Sequence, residues 1–421
     1  MSVLNLFARR VILATWAGSV AAVSLPAQVT YQDIHEPPHR YRDRTPTDSL
    51  TRMKNDLETG AIPLDRSSEL AFLNSLLKAL DIPASSQMLV YSTTSLQLSL
   101  ISPSNPRALY FNEELYLGYI PGGKIEIISI DPDLGGIFYI FDIPKADRPL
   151  KIERSARCMN CHSGSETGYV PGLVIKSVVP GPTGGSLNAY RVDQHGHSIP
   201  YADRFGGWHV TGKHGITQHW GNLIGDSNAG ILTLHTNPPG KSFRFERFLN
   251  TTSDVLAQIL HEHQAGFINR MVEATYRART IVHLNPRTLG PEPTAELEDQ
   301  ARKLTRYLLF ADEAPMPLGG IEGDATFRTE FRRNRRLSAD GISLKDFELS
   351  TRLFKHRLSY MIYSPLIQDA PAILKDALGR HLIRALQETP AHGEFQYLPA
   401  AEKAAIRRIL KATSKEFANA W

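Results

Sequence analysis

Cys158-Met159-Asn160-Cys161-His162 constrains this chain more than any other stretch. It reads C-x-x-C-H, the attachment signature of a c-type haem, and its cysteines are the only two in the sequence. Two thiols at this spacing suit thioether bonds to the two vinyl groups of one haem. The histidine that follows is then placed as the proximal iron ligand. A fold built on this motif must leave room beside it for a large planar group. Two other chemistries use a C-x-x-C pair. Zinc needs further ligands, and there is no second C-x-x-C to supply them. A thioredoxin-like motif opens a helix in a βαβ setting, whereas the chain before Cys158 reads as antiparallel strands.

At 421 residues the chain is far longer than one haem requires, since a simple c-type cytochrome needs about 100 residues. Its N-terminus reads as a signal peptide over residues 1–27. Arg9 and Arg10 precede the apolar run from Val11 to Val23, and Ser24-Leu25-Pro26-Ala27 offers a cleavage site. The run is short for a membrane span, and an uncleaved anchor is the alternative. Export, and with it a periplasmic location, agrees with a cofactor attached outside the cytoplasm. With 47 Lys and Arg against 43 Asp and Glu, the chain lacks the basic footprint of a nucleic-acid binder.

Residues 28–66 are polar and proline-containing, an extended lead-in. Residues 67–150 read as a β-rich unit that opens with a helix over Ser67 to Leu80. Its strands are expected at 88–92, 108–111, 115–120, 125–130 and 136–141, between turn signals such as Pro121-Gly122-Gly123. Residues 151–421 read as a haem-bearing, loop-rich and then helical unit. Short strands are expected at 173–179 and 207–211. Ser253 is expected to cap a helix running to about Arg279, with further helices at 294–310, 327–335, 343–363, 370–387 and 400–417. The fold class expected is α+β, an N-terminal β-rich unit and a mainly helical C-terminal unit enclosing one haem.

The sixth iron ligand decides what such a haem does. Methionine or histidine favours electron transfer, and an open position favours catalysis or gas binding. His263 is the first candidate. It shares a helical face with Leu256, Leu260, Phe267 and Met271, with His261 nearby. His219 and then His214 follow, in a loop-rich stretch that also holds His195, His197 and His209. Met316, between Pro315 and Pro317, is a weaker candidate. Arg154, Arg157, Arg191, Arg204 and Lys213 are candidate propionate partners. The basic run Arg332-Arg333-Asn334-Arg335-Arg336 suits either an acidic redox partner or a solvated helix end.

With these residues in view, the chain resembles a group of large exported bacterial c-type cytochromes with one C-x-x-C-H in mid-chain. The similar stretches are 106–112, 157–162, Pro171-Gly172-Leu173, 206–215, His219-Trp220-Gly221-Asn222, Glu262-His263-Gln264 and 359–364. The resemblance implies covalent haem and electron handling in the periplasm. It adds weight to His214, His219 and His263, and it places tyrosine where this chain has His209. The expected function is thus that of a periplasmic c-type cytochrome. It would exchange electrons with a redox partner protein or a small-molecule donor or acceptor. The alternatives are a haem enzyme such as a peroxidase, or a gas sensor with an open distal site.

Overall fold

Asp48 starts the first helix in the computed structural model, which describes residues 33–145, 148–191, 195–387, 393–418 and 420. Its carboxylate accepts from the Leu50 and Thr51 amides, and α1 runs Ser49–Thr59. The expected signal peptide lies outside the described residues. The lead-in is only partly extended. Leu50 and Leu57 of α1 are fully buried, and the Tyr41 hydroxyl donates to the Gly136 carbonyl at 2.6 Å. Ser68 caps α2, Glu69–Ala79, whose Phe72, Leu73, Leu76 and Leu77 are buried.

The five strands expected from runs of β-branched and aromatic residues form, with a short sixth, one antiparallel meander. They are β1 Met88–Val90, β2 Arg107–Phe111, β3 Leu115–Tyr119, β4 Ile125–Asp131, β5 Gly135–Phe141 and β6 Glu153–Arg154. Successive side chains point to opposite faces. One face, with Leu89, Tyr110, Leu117, Ile127 and Tyr139, closes completely over α1 and α2. The other face carries Arg107, Leu109, Glu126, Ile128 and Ile140, all only half-buried. An apolar sheet face left partly open is where a site can form.

The motif follows β6 directly. Ala156–Cys158 makes a single 3-10 turn, and α3 is Met159–His162. Two hairpins come next, β7 Ser177–Pro180 with β8 Ser186–Arg191, and β9 Leu223–Asn228 with β10 Ile231–Thr236. Residues 207–211 make only isolated bridges, Trp208 with Val90 and Thr211 with Asp254.

Helix α4, Val255–Leu284, is the axis of the molecule, buried on every side along its first four turns. Its cap is Asp254 rather than Ser253, because the Ser253 hydroxyl is engaged elsewhere. That hydroxyl accepts from Leu89 N and donates to His209 O, tying the helix start to the sheet. The remaining helices are α5 Pro291–Leu308, α6 Ala325–Phe331, α7 Pro365–Gln368, α8 Ala372–Leu386 and α9 Ala400–Thr413.

The helix expected at 343–363 is absent. Glu348 accepts from the amides of Ser350, Thr351 and Arg352, and Leu349 takes a left-handed φ of 63°. The chain therefore doubles back, with Phe347 bridged to Phe354. Leu349, Leu353, Phe354, Leu358, Met361 and Ile362 are still buried. The molecule is thus mixed α and β, with its sheet N-terminal and its helices C-terminal. Among the described residues, no helix is long and apolar enough to cross a membrane.

Candidate functional site

The His162 ring is held from several directions. Its Nδ1 lies 2.9 Å from the carbonyl oxygen of Gly172, and the Gly172 amide donates back to the His162 carbonyl at 2.9 Å. A carbonyl oxygen only accepts, so Nδ1 carries the proton and Nε2 keeps its lone pair. Burial lowers the pKa of the ring, opposed by the Gly172 carbonyl, so the imidazole is neutral at pH 7. Phe138 of β5 packs against it with ring centres 4.9 Å apart.

The Gly172 loop is in turn fastened to α4. Asn269 accepts from Leu173 N and donates to Leu173 O, both at 2.8 Å. A Cβ on Gly172 would lie 2.4 Å from Asn269 Oδ1, so only glycine lets the loop approach this closely. The Gly136 amide donates to Pro171 O at 2.9 Å, which joins the loop to the start of β5. Sheet, loop and long helix together aim one histidine.

Cys158 is half-buried and Cys161 exposed, and both thiols are free. Burial raises the Cys158 pKa, which keeps this thiol protonated at pH 7. The charge of Glu126 on β4 bears on both Cys158 and His162. Glu126 pairs with Arg107 of β2 at 3.0 Å, and the Arg107 charge bears on both His162 and His261. Gly118 of β3 sits between Arg107, Leu109 and Glu126. A Cβ there would meet all three at ordinary contact distances of 3.4–3.5 Å. The protein's own packing therefore does not require glycine at this position. A glycine inside a strand often marks the approach of a ligand.

His261 lines this face from α4. Its ring lies 5.5 Å from both Phe111 and Tyr116, and 6.3 Å from Trp208. Burial lowers its pKa to about 4. Neither ring nitrogen has a hydrogen-bond partner among the described residues. Behind it, Glu262 pairs with Arg191 at 3.0 Å and accepts from Gly196 N, both side chains buried. Burial alone would raise Glu262, but the charges of Arg191, Arg204 and His195 hold it below the usual carboxylate range.

The other candidates have different surroundings. His263 is fully buried on the opposite side of α4, stacked between Tyr307 and Phe310. Its Nδ1 pairs with His197 Nδ1 and its Nε2 with Ser359 Oγ, each at 2.8 Å, so no nitrogen is spare for a metal. Its surroundings are those of a satisfied core histidine. His219 accepts from Gly221 N and sits edge-on to His214, ring centres 5.4 Å apart. It lines a cleft of about 740 Å³ whose lining includes no motif residue. Met316 Sδ accepts from the Tyr201 hydroxyl at 3.3 Å.

Among the propionate candidates, Arg191 is committed to Glu262, and Arg204 to the carbonyls of His197 and Ile199. Lys213 pairs with Glu322 at the surface. Arg154 lies over the Tyr41 ring, and Arg157 is exposed. In the basic run, Arg332 pairs with Asp346, Arg333 pairs with Asp81, and Arg336 lies over Tyr363. Sequence reasoning passed over Arg107, Gly118 and His261. Arg107 lay within a similar stretch, and His261 was noted only as a neighbour.

Among the described residues, no three His, Cys, Asp or Glu side chains are grouped to hold a metal ion. A neutral histidine with Nε2 free, one free thiol a turn before it and one directly before it, and a partly open sheet face suit a covalently held porphyrin. Comparisons with family models, with curated proteins and with solved structures returned no match.

Proposed function

We propose that this protein is an exported c-type cytochrome that carries electrons through one covalent haem. The observation that carries this reading is the hydrogen bond from His162 Nδ1 to Gly172 O, immediately after the C-x-x-C pair. It fixes the tautomer and orientation that an iron-ligating histidine needs. Cys158 and Cys161 are the covalent anchors. Each thiol adds across a vinyl group: sulfur bonds one carbon and the thiol hydrogen goes to the other, with no leaving group. When bound, the haem supplies one-electron chemistry. The chain's own part is to hold the imidazole neutral and aimed, to line the group with Leu109, Ile128 and Phe138, and to exclude water. The electrons would pass to and from a periplasmic redox partner or small molecule.

The test is a redox cycle of the matured holoprotein with dithionite and ferricyanide, followed by addition of hydrogen peroxide. A carrier is reduced and reoxidised reversibly and shows no peroxide turnover with added electron donors. Sustained peroxide turnover would assign the protein to the haem enzymes instead.

A further inference from the structure

We infer that His261, and not His263, is the second axial ligand to the haem iron, on the side opposite His162. This rests on the proposed haem attachment at Cys158, Cys161 and His162.

The sheet register supplies the geometry. Phe111 pairs with Tyr116, Tyr116 with Ile128, and Ile128 with Phe138, so these four residues form one transverse row on the half-open face. His162 packs on Phe138 at one end, and His261 packs on Tyr116 and Phe111 at the other. Phe138 and Tyr116 are two strands apart, roughly 10 Å at the usual strand spacing. Between them stands Ile128, half-buried although it lies mid-sheet. The two imidazoles thus stand at the two ends of the Tyr116–Ile128–Phe138 row, with Gly118 in the neighbouring row. A porphyrin standing edge-on over Ile128 would present one face to each histidine.

The contrast within α4 supports the same choice. His261 and His263 are two residues apart, about 200° around a helix, so they face opposite ways. His263 is 0% exposed with both nitrogens satisfied, whereas His261 retains 7% exposure and neither nitrogen is bonded. His261 therefore keeps a nitrogen available to iron, whereas His263 does not. Tyr116 steadies this wall through its hydroxyl, which donates to Gln264 Oε1 at 2.8 Å, one turn beyond His261.

The test uses the holoprotein, matured with covalent haem, and its His261→Ala and His263→Ala variants, followed by absorption and electron paramagnetic resonance. The wild type is expected to be low-spin and to ignore carbon monoxide when reduced. His261→Ala is expected to become high-spin and to bind carbon monoxide stoichiometrically, and added imidazole restores the low-spin spectrum. His263→Ala is expected to stay low-spin. Should His261→Ala not fold, His261→Met serves, with a shifted low-spin spectrum expected. A high-spin wild type, or a His261 variant with an unchanged spectrum, overturns the ligand assignment and leaves covalent attachment standing. Absence of covalent haem from the wild type overturns both.

Discussion

His162 Nδ1 lies 2.9 Å from the carbonyl oxygen of Gly172, ten residues downstream. That contact converts a sequence motif into an oriented, neutral imidazole. It is local in the chain, but its support is not, because Gly172 is held against Asn269 of α4.

Replacing Gly172 with alanine tests that support. The new Cβ would meet Asn269 Oδ1 at 2.4 Å, so the loop must move away from α4. We expect a stability loss of about 1–3 kcal/mol, the usual range for overpacking. We also expect a weakened His162–iron bond, visible as a larger high-spin fraction. Calorimetry and absorption spectra of the holoprotein check both, and unchanged values on each count against the clamp.

Gly118 tests the open face. Alanine meets Leu109, Arg107 and Glu126 only at contact distance, so Gly118→Ala is expected to fold normally and load haem close to fully. Leucine would extend past these contacts over the sheet face that carries Ile128. Gly118→Leu is expected to keep the far-ultraviolet circular dichroism of the wild type while its covalent haem yield falls several-fold. Full loading of the leucine variant would show that the cofactor lies elsewhere.

The Arg191–Glu262 pair is buried on both sides, with side-chain exposures of 2% and 7%. Glu262→Ala leaves Arg191 without its counter-charge, which costs about 3–5 kcal/mol for a buried pair. Urea unfolding measures this. A loss under about 1 kcal/mol would mean that the arginine finds other partners.

Much of this architecture was legible in the sequence, and the gaps have physical causes. Runs of β-branched and aromatic residues from Met88 to Phe141, divided by turn residues, revealed the strands, because such side chains suit a pleated, buried surface. The spacing of Leu256, Leu260, His263, Phe267 and Met271 correctly marks a buried stripe. That stripe faces the helical core, however, and α4 is buried all round, so periodicity could not show which side meets the sheet. His261 was therefore passed over beside His263. Arg107 pairs with Glu126 across 19 residues, and Leu173 with Asn269 across 96, separations that leave no local pattern. Over 343–363, burial was legible but helix was not the outcome, because Glu348 and Leu349 turn the chain.

Glu313 sets a pH dependence away from the site. Burial raises its pKa to about 7, opposed by the Leu353 amide and by Arg357, Arg352 and Arg204. The unfolded chain releases this proton near pH 4.5 and the folded chain near 7. Stability therefore falls as pH rises through that window and is level above it. Glu313→Gln keeps the acceptor for Leu353 N and removes the penalty. At pH 8 it is expected to be more stable than wild type by about 1–3 kcal/mol. Urea midpoints at pH 5 and pH 8 decide, and equal gains at both would contradict this origin.

The most direct test of the central claim is the mass of the proteolytic fragment spanning Cys158 to His162, taken from denatured protein expressed with the c-type haem maturation machinery. The account predicts that this fragment carries one haem bound through both cysteines, and that Cys158→Ala with Cys161→Ala removes it entirely. A fragment of unmodified mass, with both thiols free or joined in a disulfide, would contradict it.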